Sequence, residues 1–416
     1  MSNFLKKYSE DIYKCSKCGL CQAACPVFKA TGTEGAVSRG KFTLLNAVVQ
    51  NKLPFSKKIS GYLDLCLACK ACEDYCPAGI KVEEIIISGR EYSNSLYGKG
   101  FIKKIILSCF NSNVYLSLLA LIINIYRILR LNIISGFLFS GLKPVNKELF
   151  VFNNMVKQEI QYRNLKPVGK EKDIKLVYFP GCVNSYINPD VKNSVLMVLE
   201  ANGYNVEIPE GLSCCGIPAR SSGDIQSFIR HAKNNLDRIP SNIDYLLTDC
   251  ASCGAVWELY KQLPDESLSQ KAKILAEKSI NINKFLSQSE LFIPESTGLK
   301  QKITYHEPCH LRHKNSEQDC ISLLTKISGI EYIEMEDYNS CCGAAGSFCI
   351  YNPEISKKIS KEKAVNIINS GADTVITSCP SCKIGLLQGL AGFDKHIKVL
   401  QPVEILSKLY ISIENK

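Results

Sequence analysis

Two short cysteine runs near the N-terminus constrain this sequence more than any other feature. Both have the pattern C-x2-C-x2-C-x3-C-P, and together they contain Cys15, Cys18, Cys21, Cys25, Cys66, Cys69, Cys72 and Cys76. This spacing lets one loop surround three corners of a 4Fe-4S cubane, while the fourth cysteine ligates the neighbouring cluster. We therefore predict one cluster on Cys15, Cys18, Cys21 and Cys76. The other is predicted on Cys66, Cys69, Cys72 and Cys25.

The alternative for these runs is a pair of zinc knuckles, because zinc also accepts four thiolates. The spacing is not a usual zinc spacing, whereas it is that of bacterial ferredoxins. Between the runs, Phe42, Leu45, Val48 and Val49 repeat at helical spacing. Residues 1–95 are therefore predicted to form an all-helical, two-cluster ferredoxin-like domain, which carries electrons and has no substrate of its own.

The remaining regularly spaced cysteines reveal an internal repeat. Cys182, Cys214 and Cys215 recur 127 residues later, and Cys250 and Cys253 recur 129 residues later, as Cys309, Cys341, Cys342, Cys379 and Cys382. Within each copy, strand and helix patterns alternate, and every cysteine group follows a predicted strand. Ligands collect at the carboxyl ends of parallel strands, so the cysteines of one copy are expected to converge. We predict two tandem α/β lobes with parallel sheets, at 171–295 and 296–416, after a basic, apolar helical linker at 96–170.

These motifs give the sequence a resemblance to a known family over nearly its whole length. The segments CSKCGLCQAACPVF, SRGK, CLACKACEDYCPAGI and HEPCHLRH, with the two CCG modules, resemble the iron-sulfur subunit of glycolate oxidase and its lactate-oxidising relatives. The same architecture occurs in the iron-sulfur subunit of anaerobic glycerol-3-phosphate dehydrogenase. The CCG modules are also similar to those of heterodisulfide reductase, where a five-cysteine set holds a noncubane 4Fe-4S cluster. The resemblance implies one or two further 4Fe-4S clusters, cubane or noncubane, on the two sets.

Both five-cysteine sets are complete here, which departs from the glycolate oxidase pattern, where part of the C-x-x-C pair is commonly missing. This completeness favours the heterodisulfide reductase resemblance. Five thiolates also exceed the four that a cubane takes, so one thiolate either bridges irons or is spare. Buried core cysteines or zinc sites are the alternatives, but neither predicts a doubled five-cysteine register.

The function predicted from these motifs is electron transfer. The sequence has no G-x-G-x-x-G after a strand and no recognisable Ser-His-Asp arrangement, so we assign no catalytic residue and expect a partner to oxidise the organic substrate. The resemblance implies an FAD-containing dehydrogenase subunit that oxidises glycolate or D-lactate, with a quinone or another carrier, such as an electron-transfer flavoprotein, as acceptor. The alternatives are a heterodisulfide reductase-like enzyme with a catalytic noncubane cluster, and the glycerol-3-phosphate version of the first function.

Charge and the N-terminus bear on location. The 50 basic and 40 acidic residues give a formal charge of +10, but no nucleic-acid module accompanies it, and we predict no nucleic-acid partner. The first residues, MSNFLKKYSEDIYK, lack the apolar region of a signal peptide, so a cytoplasmic location with reduced thiols is expected.

The linker adds a membrane hypothesis. Residues 105–126 carry no charge, yet 111–113 read as a helix break, which leaves 114–130 as an amphipathic helix. Between Glu91 and Glu148 no residue is acidic and seven are basic: Lys99, Lys103, Lys104, Arg127, Arg130, Lys143 and Lys147. We predict peripheral contact with the inner face of the cell membrane. Docking onto the ferredoxin-like domain or a partner is an equal alternative, and a transmembrane span ranks below both.

A few residues carry weaker predictions. Three of the five histidines surround Cys309, namely His306, His310 and His313, and each is either an iron ligand or proton shuttle, or an ordinary supporting residue. Arg39 and Lys41 either face the anionic N-terminal clusters or form a solvated basic pair. Three cysteines outside the repeated register are expected in the core, namely Cys109, Cys320 and Cys349.

Overall fold

The computed structural model describes residues 7–129, 143–168, 170–293, 299–312 and 314–414 of the 416-residue chain. As far as it is described, the N-terminal part consists of helices. They are α1 (Ser9–Tyr13), α2 (Leu20–Ala24), α3 (Pro26–Thr31), a 3-10 turn (Glu34–Ala36), α4 (Ser38–Val49), α5 (Lys57–Asp64), α6 (Ala71–Asp74) and α7 (Val82–Tyr97). The predicted helix between the cysteine runs is confirmed as α4, whose four periodic apolar residues are buried against α5 and α7.

Three linker helices follow, namely α8 (Phe101–Asn111), α9 (Asn113–Ile128) and α10 (Lys143–Val156). The predicted helix break is confirmed, because α8 and α9 meet at an angle of 92°. Ser112 caps α9 by accepting a hydrogen bond from the backbone N–H of Tyr115 (3.5 Å). No single helix among the described residues is long and apolar enough to cross a membrane, although α8 and α9 together meet that test by length and composition. The predicted helix end at Arg130 lies outside the described residues.

The first lobe is a four-stranded parallel sheet with helices between its strands. Its elements are β1 (Lys172–Phe179), α11 (Gly181–Tyr186), α12 (Pro189–Ala201), β2 (Tyr204–Glu207), α13 (Ile217–Ser221), α14 (Ile225–Arg238), β3 (Tyr245–Thr248), α15 (Ala251–Tyr260), α16 (Glu266–Lys278), β4 (Ser279–Asn281) and α17 (Ile282–Ser287). The strand order is β2-β1-β3-β4.

The second lobe repeats this topology, with the order β6-β5-β7-β8 and all pairs parallel. Its elements are β5 (Gln301–Tyr305), α18 (Ser316–Leu324), β6 (Ile330–Tyr332), α19 (Phe348–Tyr351), α20 (Pro353–Asn369), β7 (Thr374–Ile376), α21 (Pro380–Leu390), β8 (Lys398–Leu400) and α22 (Pro402–Glu414). The predicted fold class, a helical ferredoxin-like part followed by two parallel α/β lobes, is confirmed.

The two lobes are joined reciprocally. The helix after the last strand of each lobe packs on a helix of the other lobe, so α22 lies on α12 and α17 lies on α18. Buried polar contacts accompany the packing: the Ser407 hydroxyl donates to Ser194 (2.8 Å), and the Asn283 amide donates to Ser378 Oγ (2.7 Å). Because apolar residues of both lobes share one buried cluster, the lobes form a single packed body.

Arginine side chains hold the ferredoxin-like part against both lobes. Buried Arg90 donates to the carbonyls of Leu63 (2.8 Å) and, in the first lobe, Ser221 (2.7 Å). Arg220 of the first lobe forms a buried ion pair with Glu83 (2.7 Å). Charge-assisted bonds of this kind are stronger than neutral ones, so the cysteine-bearing loops of the ferredoxin-like part are held in a fixed position.

Candidate iron-sulfur centres

The first group of thiols lies in the ferredoxin-like part, around a cavity here called the outer cavity. Five cysteines line it. One is Cys72, and the other four are those predicted to share a cluster, namely Cys15, Cys18, Cys21 and Cys76. Arg39 lines the same cavity and forms an ion pair with Glu34 (2.5 Å). The structure thus brings the fourth cysteine of the second run to the loop of the first run.

The second group lines a neighbouring cavity, here called the inner cavity, and contains Cys25, Cys66, Cys69 and Cys72. Cys25 belongs to the first run, so the exchange of fourth cysteines is reciprocal. Its thiol accepts from the backbone N–H of Phe28 (3.4 Å), and burial raises the pKa of this thiol to about 11. Four thiols around one small cavity, with Cys69 buried and the others half-buried, suit a 4Fe-4S cluster, because thiolates are its ligands and binding deprotonates them.

Lys41 also lines the inner cavity and is buried, with 2% of its surface exposed. Its ammonium donates to the carbonyl of Ala36, and among the described residues no carboxylate lies within ion-pair distance of it. The alternative of a solvated basic pair is therefore wrong for Lys41. A buried cation beside four thiols offsets the negative charge that thiolates bring to the cavity.

In the first lobe, all five cysteines of the repeat are buried at the carboxyl ends of the strands. The thiol of Cys182 donates to that of Cys214 (3.5 Å), and the neighbouring thiols of Cys215 and Cys250 hold the pKa of Cys253 well above its usual value. Gly181 has a φ of +69°, and a Cβ there would lie 2.7 Å from the Cys253 sulfur. A larger residue would therefore intrude on the group of thiols, so the sequence Gly-Cys after β1 has a steric reason.

A buried carboxyl borders this group. Asp249 is fully buried and accepts hydrogen bonds from the Tyr178 hydroxyl and the Asn184 amide, both at 2.7 Å. Burial raises the pKa of Asp249 to about 7. In the second lobe Ser378 takes the position of Asp249, so the two lobes place different groups beside equivalent cysteines.

The second lobe gathers its cysteines in the same way. The neighbouring thiols of Cys341 and Cys382 hold the pKa of Cys342 well below its usual value, as those of Cys250 and Cys382 do for Cys379. Cys309 is half-buried, and desolvation raises the pKa of its thiol. The backbone N–H of Gly343 donates to the Cys341 sulfur (3.4 Å), as that of Gly216 donates to Cys214 in the first lobe (3.5 Å). N–H donors of this kind tune the reduction potential of a sulfur-ligated centre.

Two further side chains, which the predicted ligand sets did not contain, lie beside the thiols of the second lobe. His306 is buried, and its ring lies within 4.8 Å of the Cys342 and Cys382 sulfurs, counted between ligand atoms. The HEPCHLRH segment was the sequence signal for it. Lys363, 1% exposed, donates to Ser340 Oγ (3.4 Å), next to Cys341, and nothing in the local sequence marks it.

The remaining residues singled out from the sequence are dispersed. His310 is held by Ser252 of the first lobe (Nδ1 to Oγ, 3.1 Å), whereas His313 lies outside the described residues. Of the three off-register cysteines, Cys320 is buried, and Cys109 and Cys349 are half-buried.

The thiol groups form one continuous row. Cys72 lines both ferredoxin-like cavities, and Cys69 of the inner cavity packs in one buried cluster with Cys309 and Cys341 of the second lobe. Cys379 of the second lobe and Cys250 of the first lobe lie in one buried cluster, and the backbone N–H of Ala251 donates to the carbonyl of Ser378 between them (2.9 Å). Arg312 secures the first of these junctions by donating to the Cys69 carbonyl (3.3 Å) and to Asp74 (3.0 Å). The order is outer cavity, inner cavity, second lobe, first lobe.

Comparison with known proteins agrees with this division. The family model described as "4Fe-4S dicluster domain" matches residues 11–80, and the model described as "Cysteine-rich domain" matches residues 176–257 and 303–386. These matches assign iron-sulfur clusters to the chain.

Three relatives illustrate the similarity along the chain. The probable glycolate oxidase iron-sulfur subunit of Bacillus subtilis is 26% identical, over 95% of this chain and 93% of its own length. Lactate utilization protein A of Bacillus pumilus is 30% identical, over 56% of this chain and 99% of its own length. A fumarate reductase (CoM/CoB) subunit of Methanothermobacter marburgensis is 31% identical, over 59% of this chain and 48% of its own length.

Proposed function

Because this chain belongs to the family of glycolate oxidase iron-sulfur subunits and lactate utilization proteins A, we propose that it is the electron-transfer subunit of a flavin-linked 2-hydroxyacid dehydrogenase. It would accept electrons from an FAD-containing partner that oxidises glycolate or D-lactate, and deliver them to a quinone or another carrier, such as an electron-transfer flavoprotein. The observation that carries this proposal is the continuous row of thiol groups.

The cluster ligands follow from the same row. We propose one cubane on Cys15, Cys18, Cys21 and Cys76, a second on Cys66, Cys69, Cys72 and Cys25, and one or two further 4Fe-4S clusters in the lobes. The lobe ligands would be Cys182, Cys214, Cys215, Cys250 and Cys253, and then Cys309, Cys341, Cys342, Cys379 and Cys382. Such clusters supply one-electron carriers to the chain.

The protein's own residues would then have three tasks. Buried thiolates hold the iron, backbone N–H groups donate to sulfur, and Lys41 and Lys363 place positive charge nearby. Arg90, Arg220 and Arg312 keep the ferredoxin-like part against the lobes, which preserves short contacts between neighbouring thiol groups. Because these tasks include no group that binds an organic substrate, substrate choice would belong to the partner.

The ligand proposal is tested by iron and acid-labile sulfide analysis of the anaerobically purified chain. Two cubanes and one or two lobe clusters give about 12 to 16 irons per chain, since each cluster contains four. About eight irons, with zinc in the lobes, would confine electron transfer to the ferredoxin-like part. Replacing Cys25 with Ser should alter the paramagnetic signal of the same cluster as replacing Cys69, and Cys320→Ser is the matched control, because Cys320 is buried outside the groups.

The partner proposal is tested by co-purification with a flavoprotein of the glycolate oxidase or D-lactate dehydrogenase type. Glycolate or D-lactate should then reduce the chain's iron-sulfur signal only when the flavoprotein is present. Reduction driven by glycerol 3-phosphate through its own flavoprotein would instead favour the glycerol-3-phosphate version.

A second candidate function is that of a disulfide-reducing enzyme with a noncubane centre. It is favoured by the two complete five-cysteine sets and by the similarity to the fumarate reductase (CoM/CoB) subunit. Thiol production from a disulfide by the chain and a reduced dye alone, without a flavoprotein, would select this function over the first.

We also propose that the chain is cytoplasmic and rests peripherally on the membrane through α8 and α9. One face of α9 docks on the protein through buried Leu116 and Ile123, while apolar residues on its other face are exposed, including Leu118, Leu121 and Ile122. Basic residues contribute less to membrane binding than the sequence suggests, because several of them bond within the protein. Lys99 and Lys103 pair with Asp224 (2.6 Å) and Asp64 (3.8 Å), and Arg127 donates to protein carbonyls.

The membrane proposal is tested by flotation with phosphatidylglycerol vesicles. The double variant Leu121→Gln, Ile122→Gln should lower the bound fraction at least about tenfold, because each apolar side chain withdrawn from water is worth about 1.5 to 3 kcal/mol. Ile274→Gln with Val365→Gln, also on exposed apolar residues, is the control and should bind like the wild type. Carbonate should release the wild-type chain. Equal binding of both double variants would assign the exposed face to a protein partner.

A further inference from the structure

His306 is a buried imidazole that lies beside the Cys342 thiol. It follows β5, and its backbone N–H donates to the carbonyl of Ile376 (2.9 Å), which fixes it at the carboxyl end of the second sheet. The residue is 1% exposed, and neither ring nitrogen has a hydrogen-bond partner among the described residues. A buried polar group left unpaired is costly, so the ring is expected to pair with the neighbouring Cys342 thiol or to share a metal ion with it.

The surroundings of His306 indicate what that partner is. A ring nitrogen of His306 and the sulfurs of Cys342 and Cys382 lie within 4.8 Å of one another, and all three residues are buried. Imidazole and thiolate are both ligands for iron and zinc. Three such donors around one point form a partial coordination shell, which the other cysteines of the second lobe can complete.

At the equivalent position the first lobe has no such donor, and its buried His231 is bonded instead to Ser213 (3.0 Å) and Asn111 (2.9 Å). Phe179 occupies the equivalent position, as the residue three before the first cysteine of the repeat, and its ring packs edge-on against Trp257 at 5.4 Å between centroids. The same fold therefore accommodates an apolar ring at this position. The presence of an unpaired imidazole in the second lobe is thus not required by packing.

We propose that His306 is a nitrogen ligand of the second-lobe metal centre, so that the two lobes hold chemically different centres. This inference rests on the proposed lobe clusters. A neutral imidazole brings less negative charge to iron than a thiolate does, and histidine ligation raises the potential of iron-sulfur centres that contain it. The second-lobe centre would therefore be the more easily reduced of the two.

The test uses the full chain, purified anaerobically with its clusters and labelled with 15N-histidine. Pulsed electron paramagnetic resonance during stepwise reduction should reveal a strongly coupled histidine nitrogen, whose frequencies change between 14N and 15N samples. The variant His306→Phe has the residue that the first lobe carries at this position, and it should abolish this coupling. If that variant does not fold, His306→Gln should abolish the coupling in its place. His310→Phe is the matched control and should retain the coupling, because His310 is bonded to Ser252.

The outcomes separate this inference from the proposed function. Iron content of about 12 to 16 per chain without any strongly coupled histidine nitrogen would overturn the His306 assignment and leave the electron-transfer function intact. Coupling that survives in both His306 variants would do the same. Iron confined to the ferredoxin-like part, at about eight per chain, would overturn the lobe clusters and with them the ligand role of His306.

Discussion

The two lobes have the same fold and equivalent cysteines, but they differ in how they meet the ferredoxin-like part. The second lobe meets it through thiols, because Cys341 and Cys309 pack in one cluster with Cys69. The first lobe meets it through a buried ion pair between Arg220 and Glu83. One junction thus joins candidate metal centres, whereas the other only holds the domains together. A repeated fold can therefore supply two sites of the same shape with different places in one path.

The side chains around the thiols differ in the same direction. The second lobe has His306 and the ammonium of Lys363, while the first lobe has Phe179 and the carboxyl of Asp249 at nearby positions. Positive charge favours the reduced, more negative state of a bound centre, and negative charge opposes it. The second lobe is accordingly both nearer to the ferredoxin-like part and better suited to accept electrons.

The largest expected effect comes from the matched variants Cys341→Ser and Cys214→Ser, at equivalent positions of the two repeats. Each should lower the iron content by about four, the content of one cluster. Only Cys341→Ser should also slow reduction of the remaining lobe centre, because the second lobe lies between the first lobe and the inner cavity. Rapid-freeze paramagnetic resonance after mixing with reductant measures this rate. Equal slowing in both variants would break the proposed order.

An intermediate effect is expected at the arginine contacts. Arg220→Met leaves the buried Glu83 carboxylate with Lys70 alone, and should favour local opening of the interface by about 3 kcal/mol. Arg312→Met removes bonds to a partly exposed acid and a carbonyl, and should cost about 1 to 2 kcal/mol. Hydrogen exchange of α7 and of the residues after β5 measures the two openings.

The two variants should rank in the opposite order in their effect on the rate of electron transfer. Arg312→Met should slow electron transfer into the lobes more than Arg220→Met does, because Arg312 holds the thiol-bearing junction. If Arg220→Met slowed electron transfer more than Arg312→Met did, the junction at the Arg220–Glu83 ion pair would belong to the electron path.

The sequence predicts well which cysteines lie together, because their spacing along the chain limits which thiols can meet. Loop length limits which thiols can surround one centre, and each group follows a strand, so convergence at the sheet edge follows from parallel topology. The contacts of Cys69 with Cys341 and of Cys250 with Cys379 could not be predicted, because they depend on how three units pack together. Burial of Lys41 and Lys363 escaped prediction for a related reason: lysine is almost always solvated, and only tertiary packing overrides that tendency.

The smallest expected effect concerns Lys363 and sharpens the electrostatic side of the comparison. Lys363 donates to Ser340, the residue before Cys341. At the equivalent place in the first lobe, Asn235 accepts from Ser213, the residue before Cys214. The variant Lys363→Asn therefore gives the second lobe the residue of the first lobe. Burial lowers the pKa of Lys363 to about 8, which leaves the ammonium about nine-tenths protonated at pH 7. Removing this charge should lower the second-lobe midpoint potential by on the order of 50 mV, as expected for a screened charge inside a protein. Asn235→Lys should raise the first-lobe potential, measured in the same potentiometric titration. Unchanged potentials in both variants would leave His306 and the hydrogen bonds to sulfur as the source of any difference between the lobes.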